Sequence, residues 1–229
     1  MEKIKFPKEE FPKEKEELTP APEGKLTSAV AGFASRIFGI LKFILGVCSL
    51  PIVYASSQGF LSELSQVTKP LQDAFWGGVI TMLLVYLFVW EPVVVYTKGQ
   101  KILEFIFRFL KPLVRVAPYL LPIYTLLIFA VLVPLAYFFK DLTWYAVFLI
   151  GLTITLHLIF SAKTMRVKKG DFLKGNYLFG FSLVYIINLM LLSFGLSIMF
   201  DKFSFVNFCN HSFQIAKGII SAAFTQLFL

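Results

Sequence analysis

The chain has 229 residues, 57% of them hydrophobic and 16% charged, with a mean hydropathy of +0.74. A soluble domain of that length carries charge on about a quarter of its residues, so this composition excludes one. The formal net charge of +8 comes from two short loops rather than from a basic face, so it bears on membrane orientation and excludes nucleic acid as a partner.

Between Glu2 and Lys25 lie seven acidic and six basic residues, with Pro7, Pro12, Pro20 and Pro22 among them. Residues 1–26 cannot bury enough apolar surface to order themselves and read as a flexible, charged cytoplasmic tail. No cleavable secretory signal fits so polar and acidic a start. The first membrane helix is expected from Thr27 or Ser28, either able to cap it, to about Leu50, where Pro51 and Ser56-Ser57-Gln58 follow. Ser28, Gly32, Ser35, Gly39, Gly46 and Ser49 fall at three- and four-residue steps, with Lys42 at the missing step between Gly39 and Gly46, so one stripe of this helix is small. In lipid such a stripe admits a second backbone closely, in the same chain or in another. Cys48 falls inside the apolar run, where inert packing is the expected role.

Residues 56–73 read as a polar connection with Glu63, Lys69 and Asp73. A second crossing is expected over about 74–96, with Trp76 at one end and Trp90 and Tyr96 at the other, as interfacial aromatic belts require. Over 98–116, Lys98, Lys101, Arg108, Lys111 and Arg115 share a polar face with Glu104, opposite Ile102, Leu103, Ile106, Phe109, Leu110 and Leu113. This pattern predicts an in-plane amphipathic helix on a surface of anionic lipids; the alternative is a cytoplasmic helix packed on its own domain.

Further crossings are expected over about 117–139, 143–162 and 177–200. They are joined by the Lys140-Asp141 turn and by a basic loop with Lys163, Arg166, Lys168, Lys169 and Lys174. Both basic loops fall on one side, which places the N-terminus in the cytoplasm and the C-terminus outside, compatible with a bacterial inner membrane. Residues 201–229 read as an amphipathic outer-face tail, with a sixth crossing as the weaker alternative because of Asn207, Asn210, His211, Gln214 and Lys217. The fold expected is all-α, with five transmembrane helices over 27–200 and one interfacial helix.

Ionisable groups at membrane depth are costly and therefore informative. Lys42, Glu91 and His157 each sit about six residues from the cytoplasmic end of a predicted helix, and Asn188 lies nearer mid-membrane. The first three could form one polar layer that pairs its charges. Lys42 could equally snorkel, Glu91 could sit at headgroup level, and His157 and Asn188 could serve as interhelical hydrogen bonds. No metal-ligating cluster, phosphate-binding loop or nucleophile elbow is present, and no cofactor is expected.

The stretch Val116-Ala117-Pro118-Tyr119-Leu120-Leu121-Pro122-Ile123-Tyr124-Thr125-Leu126, then Leu156-His157-Leu158-Ile159-Phe160, then Asp171 before the helix from Tyr177 to Asn188, resembles uncharacterised bacterial membrane proteins related to the site-2-protease-type intramembrane metalloproteases. That resemblance implies a zinc-binding H-E-x-x-H motif upstream. Gln100 and Lys101 stand where its first His and Glu would be, and Glu104 where its second His would be. The resemblance therefore implies a non-catalytic, pseudoprotease-like descendant. The function expected is a non-catalytic integral membrane subunit that anchors or scaffolds a protein or lipid-handling partner; the partners expected are anionic membrane lipids and either a second protein or further copies of the chain. The alternatives are a transporter or lipid-translocating component built on the polar layer, and a membrane enzyme of unrecognised type.

Overall fold

A computed structural model describes residues 23–88, Lys101, Phe105, 120–167 and 177–228. The chain divides into two units, Met1–Phe38 and Gly39–Leu229, and the packing that follows lies within the second. Every described element is a helix: α1 (Glu23–Leu64), α2 (Lys69–Phe88), α3 (Ile123–Phe138), α4 (Leu142–Val167), α5 (Tyr177–Met199) and α6 (Phe205–Phe228). Four of them, α1, α2, α4 and α5, are long and apolar enough to cross a membrane, and α3 is a shorter apolar helix.

The first helix departs from expectation at both ends. It already includes Glu23, and it continues through Pro51 to Leu64. Pro51 removes one backbone donor, and the Ser49 hydroxyl donates to the Gly46 carbonyl at 2.7 Å just before it. The polar residues expected to end the helix are turned inward. Ala55, Ser56, Gly59, Phe60, Glu63 and Leu64 are buried at helical spacing. Ser57 Oγ donates to the Val53 carbonyl at 2.8 Å and lies 3.0 Å from the Tyr185 hydroxyl of α5.

The turn to α2 is pinned by Gln72, whose amide donates to the carbonyls of Ser65 and Val67 at 3.2 and 2.7 Å. The most extensive helix contact among the described elements is that of α2 with α4. Its cause is a pair of glycines. A Cβ on Gly78 would strike the Phe148 carbonyl oxygen, and one on Gly151 would strike that of Phe75. The two backbones therefore touch, with Met82, Leu156 and Phe160 packed further along the pair.

Leu120 is helical and Leu121 is a bend, so the third helix starts at Ile123 rather than at 117. Pro122 accounts for this break, because it disfavours helical geometry in the residue before it. The 16 residues of α3 span about 24 Å, short of the roughly 30 Å hydrocarbon core. α4 runs five residues beyond its expected end and takes Lys163 and Arg166 into the helix. Trp76 and Trp144 are both exposed near the same ends of α2 and α4, and Trp144 stacks on Phe148 at 5.7 Å. Such a level suits an interfacial belt.

The central core joins Phe60 and Leu64 of α1, Phe75 of α2, Val147, Ile150 and Ile154 of α4, Leu189, Leu192 and Leu196 of α5, and Phe203 and Phe208 at the last corner. α6 follows as a docked amphipathic helix. Ser204 accepts the Asn207 N–H on its hydroxyl at 3.2 Å, as an N-cap does. The buried Glu63 carboxylate accepts the Ser204 N–H at 2.9 Å, so the end of α1 fastens the start of α6. Gly59 leaves the space that Ser212 occupies.

Gly151→Leu and Gly78→Leu are expected to destabilise the chain by at least about 1–3 kcal/mol, the usual cost of overpacking. Gly39→Leu, with nothing within 4 Å of its Cβ position, leaves stability unchanged; thermal unfolding midpoints in one detergent check both. Glu63→Leu removes a charged acceptor worth about 1.5–3 kcal/mol and leaves α6 open to protease, whereas Glu63→Gln keeps an acceptor oxygen and retains most of the protection.

Candidate functional site: a buried polar seam in α3, α4 and α5

Three helices bring hydroxyl, amide and imidazole groups into the bundle. Thr125 of α3 meets Thr153 of α4 at 3.0 Å between hydroxyls, and Thr153 also donates to the Leu149 carbonyl at 2.8 Å. One turn further along α4, His157 is 1% exposed, and its Nε2 lies 3.4 Å from the hydroxyl of the equally buried Ser161. That is a long separation for a hydrogen bond. On α5, Asn188 donates to the Leu120 carbonyl at 3.1 Å and to the Val184 carbonyl at 2.7 Å. The first of these bonds caps the carbonyl exposed where Pro122 interrupts the helix, which explains an amide at this depth. No donor among the described residues reaches Asn188 Oδ1 or the buried Ser193 hydroxyl.

The chemistry of this seam is that of neutral donors and acceptors around one imidazole. Among the described acids of the bundle, Glu63 bonds Ser204, Asp73 pairs with Lys69 at 3.0 Å, and Asp141 and Asp201 sit in exposed turns. All four lie at the end of the bundle away from Ser161.

His157 and Asn188 both lie near the start of α3, through Thr153–Thr125 and Leu120 respectively. Lys42 is buried too, but it precedes Gly46 by one turn, and Gly46 packs against the Phe179 backbone at the start of α5. Asn188 is nine residues beyond Phe179, about 14 Å along the helix, so Lys42 and Asn188 occupy different levels. Glu91 lies outside the described residues, as do Trp90 and Tyr96.

Of the small-residue stripe, Gly46 is covered by Leu178 and Phe179, Gly39 faces open space, and Ser49 bonds within its own helix. The side chains of Ser28, Gly32 and Ser35 are outside the described residues. Of the expected lipid-surface residues, only Lys101 is described, helical and exposed, together with Phe105 on the same segment; Lys98, Arg108, Lys111 and Arg115 are not. The stretch compared with the metalloprotease motif shares that position. Cys48 is exposed on α1 rather than packed.

Sequence reasoning missed Glu63, Gly78 and Gly151. Glu63 carried a signal, an acid at helical spacing from Ser56 and Gly59, but the assumed helix end hid it. No family model, curated protein or solved structure matches the chain.

Asn188→Ala leaves the Leu120 carbonyl without its donor and is expected to cost between about 0.6 and 1.7 kcal/mol, the average and the maximum measured for interhelical bonds in lipid. Thr153→Val removes the hydroxyl that serves both Thr125 and the Leu149 carbonyl and is expected to cost a comparable amount. Unfolding in a common detergent compares the two.

Proposed function

We propose that this chain is a non-catalytic, multi-pass inner-membrane subunit that anchors or scaffolds a protein or lipid-handling partner, with its N-terminus in the cytoplasm. The carrying observation is the coverage of α1. Only 11% of its most apolar stretch is buried, against 56% for α4. From Ile40 to Val47 only Lys42 and Gly46 are buried, while Ile40, Leu41, Phe43, Ile44, Leu45 and Val47 stand exposed. Lipid can cover such a surface, but it gains nothing from the open space beside Gly39, whereas a second helix does. The basic segments after α2 and α4 support the cytoplasmic assignment of their side.

A second reading, a transporter or lipid-translocating component, is favoured by one observation: Asn188 Oδ1 and Ser193 Oγ are buried without described partners, as polar groups on a substrate path can be.

The test is a native mass spectrum of the tagged chain, extracted in mild detergent from its own host. A stoichiometric second protein that Gly39→Leu removes, with the unfolding midpoint unchanged, is the expected result. A stable lone monomer in both forms overturns the scaffold reading in favour of the second one.

A further inference from the structure

α6 runs beside α1 in the opposite direction. Ser204 meets Glu63, Phe208 and Ser212 meet Gly59, and Ala216, Lys217 and Ile220 border one groove with Ile52. Each advance along α6 is therefore a step back along α1, away from its Leu64 end. Ile52 lies about 18 Å from that end, near the middle of the apolar stretch Ile37–Leu64. Lys217 thus sits at membrane depth. Asn207, Asn210, Gln214, Lys217 and Ser221 recur along α6 at three- and four-residue steps and are all exposed, which makes one continuous polar strip. The side chains of Asn210, Gln214 and Lys217 meet no partner among the described residues. An ammonium at that depth is costly unless it is paired, and its four-carbon stem is too short to carry it back to the Leu64 end.

We propose that this strip docks a transmembrane helix of a partner protein that carries a carboxylate at mid-membrane, with the Lys217 ammonium donating to that carboxylate. Charge complementarity selects the occupant. Lipid acyl chains offer no acceptor at this depth, and a second copy of the chain, docked strip to strip, sets Lys217 against Lys217. An Asp or Glu on a facing helix meets the ammonium and leaves an oxygen for the Gln214 amide or the Ser221 hydroxyl. These lie one turn before and one turn after Lys217 on the same strip. Asn207 and Asn210 both donate and accept, so they suit neutral polar groups of the same partner. Charge-assisted bonds are about twice as strong as neutral ones, so the contact at Lys217 carries most of the selectivity.

This inference rests on the partner reading and gives it a surface and a chemistry. Its test needs no native partner, so its failure leaves the α1 face around Gly39 to be judged by the mass spectrum from the host. The full chain, carrying a fluorescent donor on an N-terminal tag, is reconstituted in vesicles of dioleoyl phosphatidylcholine. Acceptor-labelled polyleucine transmembrane peptides with a single central Asp, Leu or Lys are added, and energy transfer reads their association. The Asp peptide is expected to associate about tenfold more tightly than the Leu peptide, as a bond to a charged group allows. Lys217→Gln removes most of that preference, Lys217→Asp transfers it to the Lys peptide, and Lys202→Gln, at the corner before α6, changes nothing. Equal association of the Asp and Leu peptides with the unaltered chain overturns the proposal, as does an Asp preference that survives Lys217→Gln. Because Lys217 is exposed, its replacement by Gln leaves the packing of the bundle intact.

Discussion

The backbone contact between α2 and α4 is the constraint on which the rest of the bundle depends. In lipid, apolar side chains gain nothing by leaving their surroundings, so helices associate through close approach and through hydrogen bonds. Gly78 and Gly151 supply the first of these, each facing a carbonyl oxygen of the other helix. With α2 seated there, α4 presents Thr153 to α3 and its Val147–Ile154 face to the core shared with α5. This is why α4 has the highest buried share of the four long apolar helices.

Several polar groups inside the bundle are placed where a backbone or hydroxyl group needs them. Asn188 serves the Leu120 carbonyl at the break before α3, and Gln72 serves the two carbonyls of the α1–α2 turn. Ser57 meets Tyr185 across α1 and α5. None of these requires a reaction. They fix register between helices whose apolar surfaces alone would allow sliding.

The parts of the fold legible in the sequence were those with long uninterrupted apolar runs. The ends of α5 fell within one residue of those expected, and the turn at Lys140-Asp141 was in place. The misreadings share a cause. Pro51, Ser56, Ser57 and Glu63 look like the end of a membrane helix because polar residues usually face water, yet the helix runs on, Ser56 and Glu63 are buried, and Ser57 and Glu63 find partners 128 and 141 residues away. Such pairings carry no local signature. The glycines of the α2–α4 contact were equally silent: Gly77-Gly78 and Gly151 form no repeat within either helix, and their meaning exists only across the pair. Within the candidate seam, depth alone identified His157 and Asn188 as buried.

The bond between Glu63 and Ser204 spans 141 residues, and this separation has a consequence for the order of assembly. At roughly 5–20 residues per second, the ribosome needs about 7–28 s after making Glu63 to supply its partner. Throughout that interval the end of α1 is complete in sequence but unfastened. The last helix thus acts as a clasp: the Ser204 N–H reaches the Glu63 carboxylate only once α2 to α5 have all been made.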